Sequence, residues 1–251
     1  MSRRRQTSTT GFYHVILIGN NHQRIFEDHE DYRKFLYVLS DCQDICEFTL
    51  LAYCLMSNHI HLLIKPGIKG LDKVFMHFSA RFVRWYNAKY QRTGHLFQGR
   101  YSSKPVNNIP YLLTVMRYIH QNPVRAGICK EPQQYKYSSY QNYFNNYMID
   151  YEFTLTLISR DEFMGFHLLP NNDENSDECM DIDESPRPSL TDQQAIDVMF
   201  RISGRKTVSG FQTLDPEIRD EALRKMLRSG VRMRQACRIT GTSYGVVRKC
   251  R

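Results

Sequence analysis

The sequence predicts an α+β protein: a ferredoxin-like, split β-α-β antiparallel sheet with helices in residues 1–165, then an all-helical helix-turn-helix module in residues 190–251. Three observations carry this reading. Apolar periodicity switches between two and about 3.6 residues in the order β-α-β-β-α-β-α along the first part. A stretch rich in acids and poor in apolar residues forms a flexible tether across residues 166–189. Small apolar residues spaced about a central glycine close the chain. The composition, 41% hydrophobic and 24% charged over 251 residues, excludes a wholly disordered or fibrous protein.

The elements follow in order. Phe12–Ile18 (FYHVILI) is rich in β-branched and aromatic residues and stops at Gly19-Asn20-Asn21, which predicts a first strand. Asp28–Cys46 repeats apolar residues at three and four (Tyr32, Phe35, Leu36, Leu39, Cys42), which predicts a helix. Phe48–Met56 and His59–Lys65 are strand-like runs separated by Ser57-Asn58, a spacing that predicts a hairpin; Pro66-Gly67 ends the second run. Leu71–Tyr90 places Val74, Phe75, Phe78, Phe82, Trp85 and Tyr86 on one face of a long helix. Gly99–Pro105 reads as a fourth strand, and Pro110–Gln121 as a third helix stopped by Asn122-Pro123. No apolar run reaches the ~18 residues of a membrane helix, and the start Ser2-Arg3-Arg4-Arg5 lacks the apolar core of a signal peptide. Seven cysteines without a CxxC pair fit reduced thiols in a cytoplasmic protein.

Net charge is +8 and unevenly spread. Seven acids and no Lys or Arg lie between Asn171 and Pro186, so the rest of the chain is more basic than the total says. A basic body on an acidic tether points to a polyanion, most simply nucleic acid, although solubility alone would also account for it. Basic and aromatic residues interleave from Arg81 to Arg125. Arg81, Arg84, Lys89, Arg100, Lys104, Arg117 and Arg125 are the candidate DNA contacts, in the manner of single-strand binders. Phe82 and Trp85 fall on the apolar face and read as core. In the C-terminal part, Leu214–Leu227 reads as a support helix begun at Pro216, and Met233–Arg251 (MRQACRITGTSYGVVRKCR) as two helices about Gly241. Arg234, Arg238, Tyr244 and Arg248 would face outward toward DNA; a small helical bundle for protein contacts is the alternative.

His59 and His61 flank Ile60 in a strand. Both imidazoles therefore project from one face at a spacing suited to one divalent metal, unless they are incidental surface histidines. Tyr118 and Asn122, four apart, share a helix face, and the Asn122 amide oxygen is a candidate third ligand. A tyrosine beside a divalent metal is apparatus for attack on a phosphodiester. Spacing alone does not select Tyr118 from sixteen tyrosines. His120 points away from Tyr118 and reads as structural or DNA-facing. His14 and His22 have no partner by spacing and read as ordinary polar positions.

Several blocks together resemble a family. MSNHIHLLIKP, YLLTVMRYIHQNPVRAGI, GHLFQGRYSSKPV and the opening GFYHVILIGNN with Arg24-Ile25-Phe26 look like the HUH single-strand nucleases with one catalytic tyrosine. More narrowly they are similar to the REP-associated tyrosine transposases of bacteria, over about residues 10–145. The resemblance implies His59 and His61 as metal ligands, Tyr118 as nucleophile, and Asn122 completing the metal site where related enzymes often carry Gln. It implies Mg²⁺ or Mn²⁺ as cofactor. It also implies DNA transposition: cleavage and strand transfer of single-stranded DNA through a 5′-phosphotyrosine, at hairpins of repeated palindromic elements. Monomer and homodimer both stay open. Two other readings compete: a non-catalytic hairpin-DNA-binding architectural or regulatory protein, and a metal-dependent nuclease that uses water instead of Tyr118.

Overall fold

Strands β1 (Tyr13–Ile18), β2 (Thr49–Leu55), β3 (His59–Lys65) and β4 (Ser102–Pro105) form one antiparallel sheet in the order β2-β3-β1-β4. The structure is a computed structural model that describes residues 6–169, 179 and 190–250. The basic start Arg3–Arg5 and most of the expected tether lie outside the described residues. The sheet order is that of a split β-α-β unit, as the element order predicts. β2 and β3 form the expected hairpin, closed by the Met56 N–H donating to the His59 carbonyl (2.9 Å). β4 is four residues, shorter than the run from Gly99, because Gly99 sits at φ 65, outside extended backbone. The outer edge of β2 is covered: Leu55 N–H donates to the Tyr137 carbonyl (2.9 Å) and Ser139 N–H to that of Tyr53 (3.0 Å).

Helices α1 (His29–Cys46) and α2 (Gly70–Lys89) pack on each other through Phe35, Phe78 and Phe82. α1 starts where its sequence dictates: the Asp28 carboxylate accepts from the N–H groups of Glu30 and Asp31, and Asp31 caps back. Alternation along β1 and β3 sends Val15, Leu17, Ile60 and Leu62 to one face, where all are buried in the main core. The opposite face carries His14, His59 and His61. Helix α3 (Ile109–Arg125) packs over β2 and β3 and closes that face, so these histidines are buried.

α3 corrects an expectation. It runs through Pro123 to Arg125 instead of ending at Gln121. Proline gives up its own N–H and crowds the carbonyl four residues back, but in this last turn the Ala126 N–H still donates to the Asn122 carbonyl (3.0 Å). Asn122 is thereby held in regular helix one turn after Tyr118. Beyond it, α4 (Tyr151–Leu155) and α5 (Arg160–Leu168) belong to the same body, with Phe163 and His167 buried against α3. α5 crosses residue 165, so the first folded part extends past the boundary read from composition.

Residues 190–250 form five helices: α6 (Asp192–Ser203), α7 (Val208–Gln212), α8 (Pro216–Arg228), α9 (Met233–Thr240) and α10 (Tyr244–Lys249). They enclose a second core that includes Met199, Phe211, Leu223, Met226, Ile239 and Val247. α9 ends at Gly241, whose φ of 67 makes the left-handed turn into α10. This part also touches the first: Asn21 Nδ2 donates to the Gly241 carbonyl (3.0 Å), and Gln212 Nε2 to Gln23 Oε1 (2.6 Å). Among the described residues no helix is long and apolar enough to cross a membrane. Seven cysteines are free thiols.

Candidate functional site

Strand periodicity and helix periodicity meet at one place. β3 points His59 and His61 at α3, and α3 points Tyr118 and Asn122 back, one turn apart. The His59 and His61 rings are 5.0 Å apart, and the Tyr118 ring is 5.8 Å from His61. His59 Nε2 lies 3.4 Å from Asn122 Oδ1. All four side chains are buried, with Tyr118 4% and Asn122 8% exposed. The Arg125 guanidinium stands 4.7 Å over the Tyr118 ring. Tyr118 thus meets the histidines within its own chain.

A fifth residue joins them that sequence reasoning passed over. β1 pairs with β3 so that His14 faces Leu63, two residues from His61 on the same face. His14 Nε2 and His61 Nδ1 are 2.9 Å apart, and the His14 ring is 5.8 Å from Tyr118. Alternation along FYHVILI already puts His14 opposite Val15 and Leu17. The register that sets β1 beside β3 is the missing piece, and a single sequence does not give it. His22 sits in the turn after β1 near Arg238; burial, then that guanidinium, lowers its pKa.

Electrostatics keep the imidazoles neutral. Burial, followed by the Lys104 ammonium, pushes His14 down to about 3. Burial takes His59 down to about 4, with the nearby Asn122 amide oxygen, an acceptor, acting the other way and a minor downward push from His22. His61 falls well below its usual range through burial, then His59, His14 and Arg125. Neutral imidazole is the form that binds metal.

The residues fit a divalent cation. His59 Nδ1 is 2.8 Å from Asn58 Oδ1, an acceptor, so Nδ1 carries the proton and Nε2 is a lone pair. That lone pair faces Asn122 Oδ1, a second acceptor, and two acceptors converging in a buried site form a cation's donor set. Among the described residues no three His, Cys, Asp or Glu side chains are placed to hold a metal, so the amide oxygen must complete any site. Two nitrogens and one amide oxygen suit Mn²⁺ or Mg²⁺ with positions left for phosphate and water.

The basic candidates divide. Arg84, Arg100, Arg125, Arg234, Tyr244 and Arg248 are exposed, and Lys104 is half-buried with its ammonium 5.3 Å from the Tyr111 ring. The other four have partners within the chain, Arg81 at the surface and the rest partly or wholly buried, which weighs against their meeting DNA. Arg117 is 1% exposed and stacks 4.6 Å over Phe166. Lys89 bonds Asp28 (2.8 Å), Glu30 (2.9 Å) and Asp31 (2.9 Å), and these carboxylates raise its pKa against burial. Arg81 pairs with Asp41, and Arg238 grips Asp192 with two bonds (2.8 and 2.5 Å). Lys89, Arg81 and Arg238 each meet an acid, and Arg117 meets a ring.

Comparison with known proteins gives a consistent picture. Residues 7–122 match the family model of IS200-like transposases. A REP-associated tyrosine transposase, solved bound to a REP hairpin, superposes with a TM-score of 0.51 at 15% identity, over 59% of this chain and 87% of its own. A candidate transposase from Deinococcus radiodurans R1 aligns at 18% identity over 49% of this chain and 86% of its own, with a TM-score of 0.33. No curated protein sequence matches.

Proposed function

We propose that this chain, whose residues 7–122 match the family model of IS200-like transposases, cuts and rejoins single-stranded DNA through Tyr118. The observation that carries the proposal is the meeting of Tyr118 with His59, His61 and Asn122 on one buried face. The Tyr118 phenol oxygen forms a bond to phosphorus as the bond to the 3′ oxygen breaks. The leaving oxygen takes a proton and departs as a 3′-hydroxyl, and the 5′ side stays on the protein as phosphotyrosine. Attack by a 3′-hydroxyl on that link reverses the step and joins strands. Arg125, over the ring, would attract the phosphate. Mg²⁺ or Mn²⁺ on His59, His61 and Asn122 would offset charge on the non-bridging oxygens.

The substrate class proposed is a hairpin with single-stranded flanks, by analogy with the REP hairpin held by the structural neighbour. Exposed Arg84, Arg100 and Lys104 would meet the flanking strand, and Arg234, Tyr244 and Arg248 of the helical part would meet the stem, as a helix-turn-helix does. A denaturing gel of labelled hairpin DNA with Mn²⁺ tests this. The expected result is a label shifted with the protein, lost in Tyr118→Phe and in His59→Ala. Cleavage that survives Tyr118→Phe would mean water attacks. Binding without cleavage or adduct would mean an architectural or regulatory hairpin binder.

A further inference from the structure

His14 is wholly buried, yet its Nδ1 has no hydrogen-bond partner among the described residues. Burying an imidazole with half its bonding capacity idle is costly. Its other nitrogen makes one contact, with His61 Nδ1 at 2.9 Å. The metal site explains that contact. A histidine that ligates through Nε2 must carry its proton on Nδ1, and a buried Nδ1–H needs an acceptor. His59 has one in Asn58 Oδ1 at 2.8 Å. His14 Nε2 stands in the same relation to His61. Two ligand histidines on one strand are each backed at Nδ1, one by the preceding residue and one from the neighbouring strand.

We propose that His14 is a positioning residue: it accepts the His61 Nδ1–H, fixing the ring and its tautomer so that the Nε2 lone pair is presented to a divalent cation. The inference rests on the metal reading of His59, His61 and Asn122. His14 touches no metal in this scheme; its Nδ1 carries the proton when Nε2 accepts, and that N–H, without an acceptor among the described residues, is the cost of holding the His61 tautomer.

The test is Mn²⁺ binding to the full chain without DNA, followed by the loss of the free-ion EPR signal, with the thermal midpoint of the metal-free protein measured alongside. His14→Phe removes the acceptor and keeps the ring's bulk. It should weaken Mn²⁺ binding about 10- to 100-fold, the usual cost of losing such a partner. His14→Gln, which can still accept from Nδ1–H, should stay much closer to wild type. Pulsed EPR should count two coordinated imidazoles in wild type. Wild-type affinity in His14→Phe, or loss in His14→Gln equal to that in His14→Phe, overturns the inference. A third coordinated imidazole would make His14 a ligand and overturn it as well. His59→Ala separates the two ideas: if it weakens Mn²⁺ binding while His14→Phe does not, only the role of His14 fails. If His59→Ala also binds as wild type, the metal reading fails and takes this inference with it.

Discussion

Two buried histidine pairs border α3, and they differ in how their hydrogen bonds end. In the pair under α5, His167 Nδ1–H donates to the Phe163 carbonyl (2.8 Å), which leaves Nε2 to accept from His120 Nδ1–H (2.8 Å). His120 Nε2 then accepts from the Ser139 hydroxyl (2.7 Å), whose oxygen accepts from the Tyr53 N–H (3.0 Å). Every nitrogen has a partner, and the chain ties α3 to α5 and to the sheet. At the site, the His14–His61 pair ends at His14 Nδ1 without a partner among the described residues, and the neighbouring His59 Nε2 faces another acceptor. Both pairs are buried and neutral, so burial and pKa do not separate scaffold from site. Completeness of the hydrogen bonding does: a closed chain locks a structure, and an open one leaves capacity for a ligand.

The largest expected effect falls on both pairs together. Burial lowers the pKa of His14 and His59 to about 3 and 4, that of His167 to about 4, and those of His61 and His120 well below their usual range. In the unfolded chain each takes a proton near pH 6.5, whereas the folded protein takes none until far lower pH. Stability is therefore full above about pH 6.5 and lost as pH falls toward 4, by ~1.4 kcal/mol per pH unit for each such imidazole. The urea midpoint at pH 5 should lie well under that at pH 7.5. Equal midpoints would mean that the imidazoles are not held neutral, and the comparison would lose its footing.

The next effect separates the pairs. His120→Ala opens the closed chain, strands His167 Nε2 and the Ser139 hydroxyl, and leaves a cavity, at a cost of roughly 2–4 kcal/mol. His14→Phe strands the His61 nitrogen but also removes the idle His14 Nδ1 and leaves no cavity, so it should cost about 1 kcal/mol without metal. Similar losses in the two variants, measured by urea unfolding at pH 7.5, would erase the distinction.

How much of this was legible follows from the range over which each feature is encoded. His59 with His61, and Tyr118 with Asn122, lie within one strand and one helix, so local periodicity placed each pair, and the resemblance linked them. His14 belongs to the site only through the β1–β3 register, which sets residues 47 apart in contact. The acids that pair with Arg81, Arg238 and Lys89 lie 40, 46 and up to 61 residues away, so the ion pairs within the interleaved basic pattern are invisible to local spacing. α3 was read short because Pro123 breaks a helix interior far more often than it sits in the last turn. α6 and α7 were missed because their apolar positions had no motif to draw attention to them.

The smallest effect sharpens the comparison at the open pair. The turn after β1 is bonded to the hairpin that carries the site: Gly19 N–H donates to the Asn58 carbonyl (2.8 Å), and Ile25 N–H to that of Ser57 (2.8 Å). The same turn holds the helical part through Asn21 and Gln23. Gly241 is where the contact is tightest. Its φ of 67 disfavours any side chain, and an added Cβ would run into Gln212 Nε2 and Gln23 Oε1. Gly241→Ala should therefore cost ~1 kcal/mol in backbone strain and loosen the polar contact as well. Hydrogen exchange should quicken at residues 19–25 and in α9. It should stay unchanged in α5, whose anchor is the closed pair on the other flank of α3. Exchange that rises equally in α5 would mean that the two pairs respond as one body, and that closure of the hydrogen-bond chain does not insulate the scaffold from the site.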